Sequence, residues 1–244
     1  MEDYHIHTNF SVCGLHYGGK EYEFSAILEK VLPKLKRAGF CDHVEGFTDS
    51  NAFMEITRKR REIAPENVLF GAEVAFITSL GKLSIPDAHA KELDYLIGSV
   101  HHIPLYDVFY SCTQELYEKR KNMYGEDKLI KAHSMAVADL AERVNIIGHP
   151  FGSFIRLGVY VGDDAVSEFA RTIDGKALAE INLRVYRKAD KALCIRYLKR
   201  MKEEGCRFSL GSDAHSFGEL EYDIVEQIKK EAGIKDSDMG RPVD

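Results

Sequence analysis

The chain has 244 residues, 45% hydrophobic and 30% charged, with a net charge of −6 and a pI near 6.0. That is globular composition, long enough for one large α/β domain or two small ones. It holds no apolar run near the roughly 20 residues of a membrane helix, no basic-then-apolar start typical of a signal peptide, and no basic stripe fit for duplex nucleic acid.

The first predicted element is a strand over residues 3–7, Asp-Tyr-His-Ile-His. Side chains alternate along a strand, so His5 and His7 share a face and could hold one metal ion together. A loop follows with Cys13, His16, Gly18 and Gly19. His16 could fold back over the first pair or face solvent. Cys13 reads first as a small packing residue and second as a metal neighbour. Helical spacing of apolar residues predicts a helix over 25–38, stopping at Gly39.

Strand two is expected over 44–48, followed by Asp49-Ser50-Asn51 as a turn and helix cap. A basic helix over 53–63 ends before Pro65. Strand three, 68–75, is an apolar run interrupted by Glu73. A carboxylate inside such a run is costly to bury unless it is paired or binds a cation. After Pro86 a short helix carries His89. Strand four, 95–100, ends in His101-His102, which alternation sends to opposite faces. Residues 103–117, with Tyr106, Phe109 and Tyr110, read as an irregular aromatic segment.

A helix over 127–143 contains His133, which reads as structural or exposed. Strand five, 144–148, ends in His149-Pro150, and the proline stops the ladder. A helix over 163–171 leads to strand six, 177–181, and Asn182. A helix over 191–204 stops at Gly205, and strand seven, 207–210, runs into Gly-Ser-Asp213-Ala-His215. The last helix spans 222–232, and the tail after Gly233 is expected to be loose.

Strands alternating with helices imply a parallel sheet with right-handed crossovers. Chemistry-bearing residues at strand carboxyl ends favour a closed barrel over an open sheet. The five cysteines, Cys13, Cys41, Cys112, Cys194 and Cys206, form no C-x-x-C pair and are odd in number. A disulfide framework is therefore not expected, and a cytoplasmic location is. Imidazoles and carboxylates suit zinc, manganese or iron. Seven or more candidate ligands exceed one ion's needs, so two or three divalent ions are expected. Such ions activate water and stabilise both oxygens of an in-line displacement at phosphorus.

His5-x-His7-Thr8, Glu73 in Gly-Ala-Glu, His101 after Ser-Val, His149 in Gly-His-Pro, and Gly-Ser-Asp213-Ala-His215 together resemble the PHP (polymerase and histidinol phosphatase) family, over nearly the whole chain. The resemblance implies one distorted seven-stranded (β/α)7 TIM-like barrel domain over residues 1–244. It implies a trinuclear centre and a metal-dependent phosphoesterase that uses a metal-activated hydroxide on a small phosphate monoester, histidinol phosphate among them. His5, His7, Glu73 and Asp213 would hold the first ion, Glu73, His101 and His149 the second, and His16 with His215 would contribute to the third.

One position departs from the pattern. Where the family has Thr-Asp-His after strand two, this chain has Thr48-Asp49-Ser50, and His43 is the alternative match. On the first alignment the third ion is weakly held, uses Asp49 or is absent. Asp213 or His215 would assist proton transfer. Arg187, ahead of Arg184 on spacing, would meet the phosphate through its forked donors, against the plain alternative of a solvated loop. The alternative functions are a nucleotide phosphodiesterase or exonuclease, disfavoured for long polymers by the acidic charge, and a non-catalytic metal-binding barrel.

Overall fold

The computed structural model describes residues 1–45, 48–76, 82–105, 108–111 and 114–243, with 102–105 and 108–111 as backbone alone. The strands are β1 (Glu2–Ile6), β2 (Arg37–Val44), β3 (Val68–Val74), β4 (Tyr95–Gly98), β5 (His102–Leu105), β6 (Val108–Ser111), β7 (Ile146–Ile147), β8 (Leu178–Asn182) and β9 (Phe208–Gly211). Seven of them form one sheet in the order β1-β2-β3-β4-β7-β8-β9, and every pairing in it is parallel. Its two edges meet. Asp213 N donates to His5 O at 2.8 Å and His7 N to Ala214 O at 3.1 Å. The result is the expected seven-stranded α/β barrel, nearly closed, with helices between its strands. β5 and β6 make a separate antiparallel hairpin after β4.

Period-two alternation sorts the strand residues. Phe70, Ala72 and Val74 of β3 face the helices and join the larger apolar layer. Leu69 packs with Tyr4, Cys41, Tyr95, Ile97, Ile146 and Leu178 in the narrow barrel interior. Tyr95 fills that interior because Gly39 and Gly71 leave room: a Cβ on Gly71 would lie 2.7 Å from its ring. Its hydroxyl donates to Tyr4 O at 2.6 Å, which satisfies that buried polar group.

Four expectations are corrected. β2 is Arg37–Val44 rather than 44–48, and the helix before it is Phe24–Val31 rather than 25–38. The reason lies in Asp42 and His43, which look like loop residues but sit inside the strand. Asp42 can be buried there because Arg60 Nη1 donates to it at 3.0 Å and Thr8 N at 2.7 Å. Residues 46–47 lie outside the described residues. Within the segment 103–117 the described residues belong to the hairpin of β5 and β6 and to the start of the helix Gln114–Tyr124; Tyr106 and the side chains of Phe109 and Tyr110 lie outside the described residues. The tail after Gly233 is fastened, not loose. Gly240 N donates to Phe208 O at 2.7 Å, Asn145 Nδ2 to Pro242 O at 2.9 Å, and Arg241 pairs with Glu2. Among the described residues no helix is long and apolar enough to cross a membrane.

Candidate metal centre

The carboxyl ends of the barrel strands converge on Glu73. Inward-facing on β3 and 1% exposed, it turns its two oxygens to two pairs of imidazoles. Oε2 lies 3.4 Å from His5 Nε2 and 3.4 Å from His7 Nε2. Oε1 lies 3.2 Å from His101 Nε2 and 3.1 Å from His149 Nε2. Within each pair the Nε2 atoms approach to 3.0 Å and 3.2 Å. Asp213 Oδ1 adds a further oxygen 3.5 Å from His7 Nε2.

The local backbone is built for this convergence. β1 slips register against β2 between Asp3 and Ile6, and such a bulge re-aims side chains beside a site. Asp3 secures the bulged segment, accepting from His5 N and Ser212 N at 3.0 Å and from Tyr222 OH at 2.8 Å. His149 and Asp213 have φ of 31° and 51°. Left-handed backbone at non-glycine residues costs on the order of 1–3 kcal/mol each and persists only where its surroundings fix it. Both strained residues turn a strand end into the centre.

The donor set fits divalent cations. Glu73 Oε2 is buried among the nitrogens of His5, His7 and His43 with no well-aligned hydrogen bond, an expensive state for a carboxylate unless a cation satisfies it. Burial opposes the charge on Glu73, yet His43, His101 and His5 hold its carboxyl well below the usual range. Burial, with His215 and His43 close by, pushes His7 down to about 4, leaving it neutral at pH 7, the form that ligates metals. Burial works against charge on His101 as well, but Glu73 and Glu45 raise it to about 9. Glu45 Oε1 lies 2.8 Å from His101 Nδ1 and so orients that ring.

Of the residues singled out in the sequence, the structure brings together His5, His7, Glu73, His101, His149, Asp213 and His215. His16 is not among them. It is exposed on the helix Val12–Gly18, its ring against Tyr17. Cys13, three residues earlier on that helix, faces the centre: ligand atoms of His7, Cys13, His43 and His215 all lie within 4.8 Å of one another. The alignment through Ser50 is corrected too. Asp49 caps the helix Ser50–Ile63, accepting from Asn51 N and Ala52 N, while His43 enters the centre from β2, its Nδ1 2.9 Å from Glu73 Oε2. His133 is buried between the rings of Phe151 and Phe154. The His102 side chain lies outside the described residues.

Glu180, in the Glu-Ile-Asn segment ahead of Arg184, had no role assigned from the sequence. Its Oε1 sits 2.6 Å from His5 Nδ1, and its Oε2 accepts from His149 N and from Asn182 Nδ2. One carboxylate thereby aligns a ring of one ligand pair and the backbone of the other. The signal was available, since Glu180 interrupts an apolar run as Glu73 does.

A cavity of about 420 Å³ opens over the centre, walled by Tyr17, Arg156, Arg184 and Lys188. Arg184 lies against His215 Nδ1, with its guanidinium 5.1 Å from the Tyr17 ring. Arg187 is outside that wall, donating to the carbonyls of Glu219 and Glu221. The cationic side of the cavity is therefore made by Arg156, Arg184 and Lys188, with Arg184, one helical turn before Arg187, the one against His215.

No family model matches the chain. A Thermoanaerobacter protein named "probable phosphatase" is 28% identical over 168 residues, 68% of this chain and 60% of its own. A Schizosaccharomyces pombe protein named "probable histidinol-phosphatase" is 26% identical over 191 residues, 69% of this chain and 60% of its own. The chain thus spans about 60% of the length of these relatives. The crystal structure of the Listeria monocytogenes "putative histidinol phosphatase hisK" superimposes with a TM-score of 0.68 at 14% identity, covering 93% of this chain and 99% of that one. That likeness shows the barrel fold. The relatives' names agree with the resemblance carried by the motifs.

Proposed function

From its likeness to histidinol-phosphatase-like PHP proteins, we propose that the chain is a metal-dependent phosphoesterase acting on a small phosphate monoester, with histidinol phosphate the first substrate to try. The observation that supports this most is Glu73, each of whose oxygens faces its own pair of imidazoles. His5, His7, Glu73 and Asp213 would hold one divalent cation, and Glu73, His101 and His149 a second. Zinc, manganese or iron bound there would supply Lewis acidity toward the phosphoryl oxygens and lower the pKa of water.

The chain's own residues do the rest. Arg184 offers a fixed guanidinium to the phosphate and offsets its charge. Tyr17 holds that guanidinium in place through its ring face. The cavity volume is that of a small-molecule site. Asp213 and His215 act first as ligands and only second in proton transfer, since a residue engaged with a cation is a poor free base. Turnover of p-nitrophenyl phosphate should vanish on chelation and return with Mn²⁺ or Zn²⁺. Histidinol phosphate should be cleaved faster than mononucleotides or oligonucleotides. Turnover that survives complete metal removal would overturn the reading.

A further inference from the structure

We infer that Cys13 supplies a thiolate to a third cation site, completed by His43 and His215, and that this site selects zinc over manganese. The inference rests on the reading of the centre above and extends it to a position where the sequence placed His16. Three observations carry it. Ligand atoms of His7, Cys13, His43 and His215 lie within 4.8 Å of one another. His7 Nε2 faces both Glu73 and Asp213 and belongs with the first ion, whereas His43 meets Glu73 through Nδ1 alone and keeps its second ring nitrogen, so that nitrogen, the Cys13 sulfur and the His215 imidazole are left for a separate ion. Cys13, His43 and His215 all line the cavity, so the fourth position of a tetrahedral ion would open toward the substrate. Three protein ligands with one open position is the pattern of catalytic rather than structural zinc.

The sulfur decides the metal. Thiolate is a soft ligand and suits zinc, whereas manganese prefers carboxylate, carbonyl and water oxygens. The Glu73-centred positions carry oxygen and imidazole donors and accept either metal. The Cys13 position would thus be chemically distinct from its neighbours. Arg184 sits against His215, so a phosphate held by that arginine would reach the same ion.

The test loads the metal-free protein with Co²⁺, a spectroscopic stand-in for zinc. The wild-type chain should show a sulfur-to-cobalt charge-transfer band in the near ultraviolet. Cys13→Ser should lose that band and bind one equivalent less zinc, while keeping the visible d–d bands of the Glu73-centred ions. Cys13→His should restore the third equivalent without the band, and should narrow the zinc-over-manganese preference by at least about tenfold. Its regained stoichiometry guards against a folding defect in the serine variant. A wild-type spectrum without the band, or a band that persists in Cys13→Ser, overturns the inference. These readouts do not depend on turnover. Absent phosphatase activity with an intact sulfur band would count against the proposed reaction alone.

Discussion

Glu180 Oε1 lies 2.6 Å from His5 Nδ1, and both side chains are almost wholly buried. The contact fixes which ring nitrogen of His5 points at Glu73. Burial alone would push His5 down, but the Glu180 carboxylate, with Glu73 behind it, carries its pKa well above the ordinary value. A carboxylate behind a ligating imidazole sets its tautomer and raises its basicity.

Glu180→Gln should therefore weaken divalent-metal affinity by about 10–100-fold with little change in fold. Calorimetric titration of the metal-free variant with Zn²⁺ checks this. Affinity equal to that of the wild type would show that His5 needs no such partner.

Gly211 is constrained by the same contact. A Cβ there would overlap Glu180 Oε1 and lie 2.7 Å from the His5 Cβ. Gly211→Ala should destabilise the metal-free chain by about 1–3 kcal/mol, the usual cost of overpacking. Adding Glu180→Ala should recover part of that loss, because the collision is with its carboxylate. Denaturant melts of the two single variants and the double variant give the coupling energy; additive costs would place the strain elsewhere.

Arg184 and Arg187 should separate cleanly. A charge-assisted hydrogen bond contributes about 1.5–3 kcal/mol, so Arg184→Ala should lower kcat/KM for a phosphate monoester by roughly tenfold to a hundredfold. Arg187→Ala removes bonds to the Glu219 and Glu221 carbonyls, and should lower Tm while leaving kcat/KM within about threefold. Steady-state kinetics beside thermal melts decide between them, and the reverse pattern would restore Arg187 as the phosphate contact.

Arg60 is the cation that makes Asp42 tolerable inside β2. Arg60 Nη2 also donates to Thr8 Oγ1 at 2.8 Å, and Asp42 Oδ1 accepts from Ser11 Oγ at 2.8 Å. Removing one partner of a buried pair costs about 3–5 kcal/mol, and Arg60→Ala should lose that much at neutral pH. Burial raises the Asp42 pKa, but Arg60, His7 and Thr8 together bring it below its ordinary value. A depressed carboxyl stabilises the fold above its unfolded pKa and loses that contribution as pH falls. In the variant Asp42 can protonate in mild acid and shed its penalty. The stability gap between the two proteins should shrink from pH 7 to about pH 4. Urea melts across that range would expose a gap that stays constant, which would rule out the charge as its cause.

The sequence by itself determined the barrel and most of the centre. Alternating strands and helices leave few ways to bury both faces of a parallel sheet; His101, His149, Asp213 and His215 follow apolar runs, Glu73 interrupts one, and His5 and His7 share a face of the first strand. A strand end fixes direction as well as position, so such residues are readable without coordinates. Tertiary structure decided whatever depended on which partner a polar residue meets. Asp42 and His43 looked like a loop until Arg60 from a neighbouring helix made them part of β2. Cys13 and His16 are three residues apart on one short helix, yet only the helix's packing on the barrel mouth turns Cys13 inward and His16 to solvent. Glu180 and Arg184 gain their meaning from His5 and His215, far away in sequence. Local pattern encodes backbone geometry, whereas the partner that makes a buried charge tolerable is supplied by the fold.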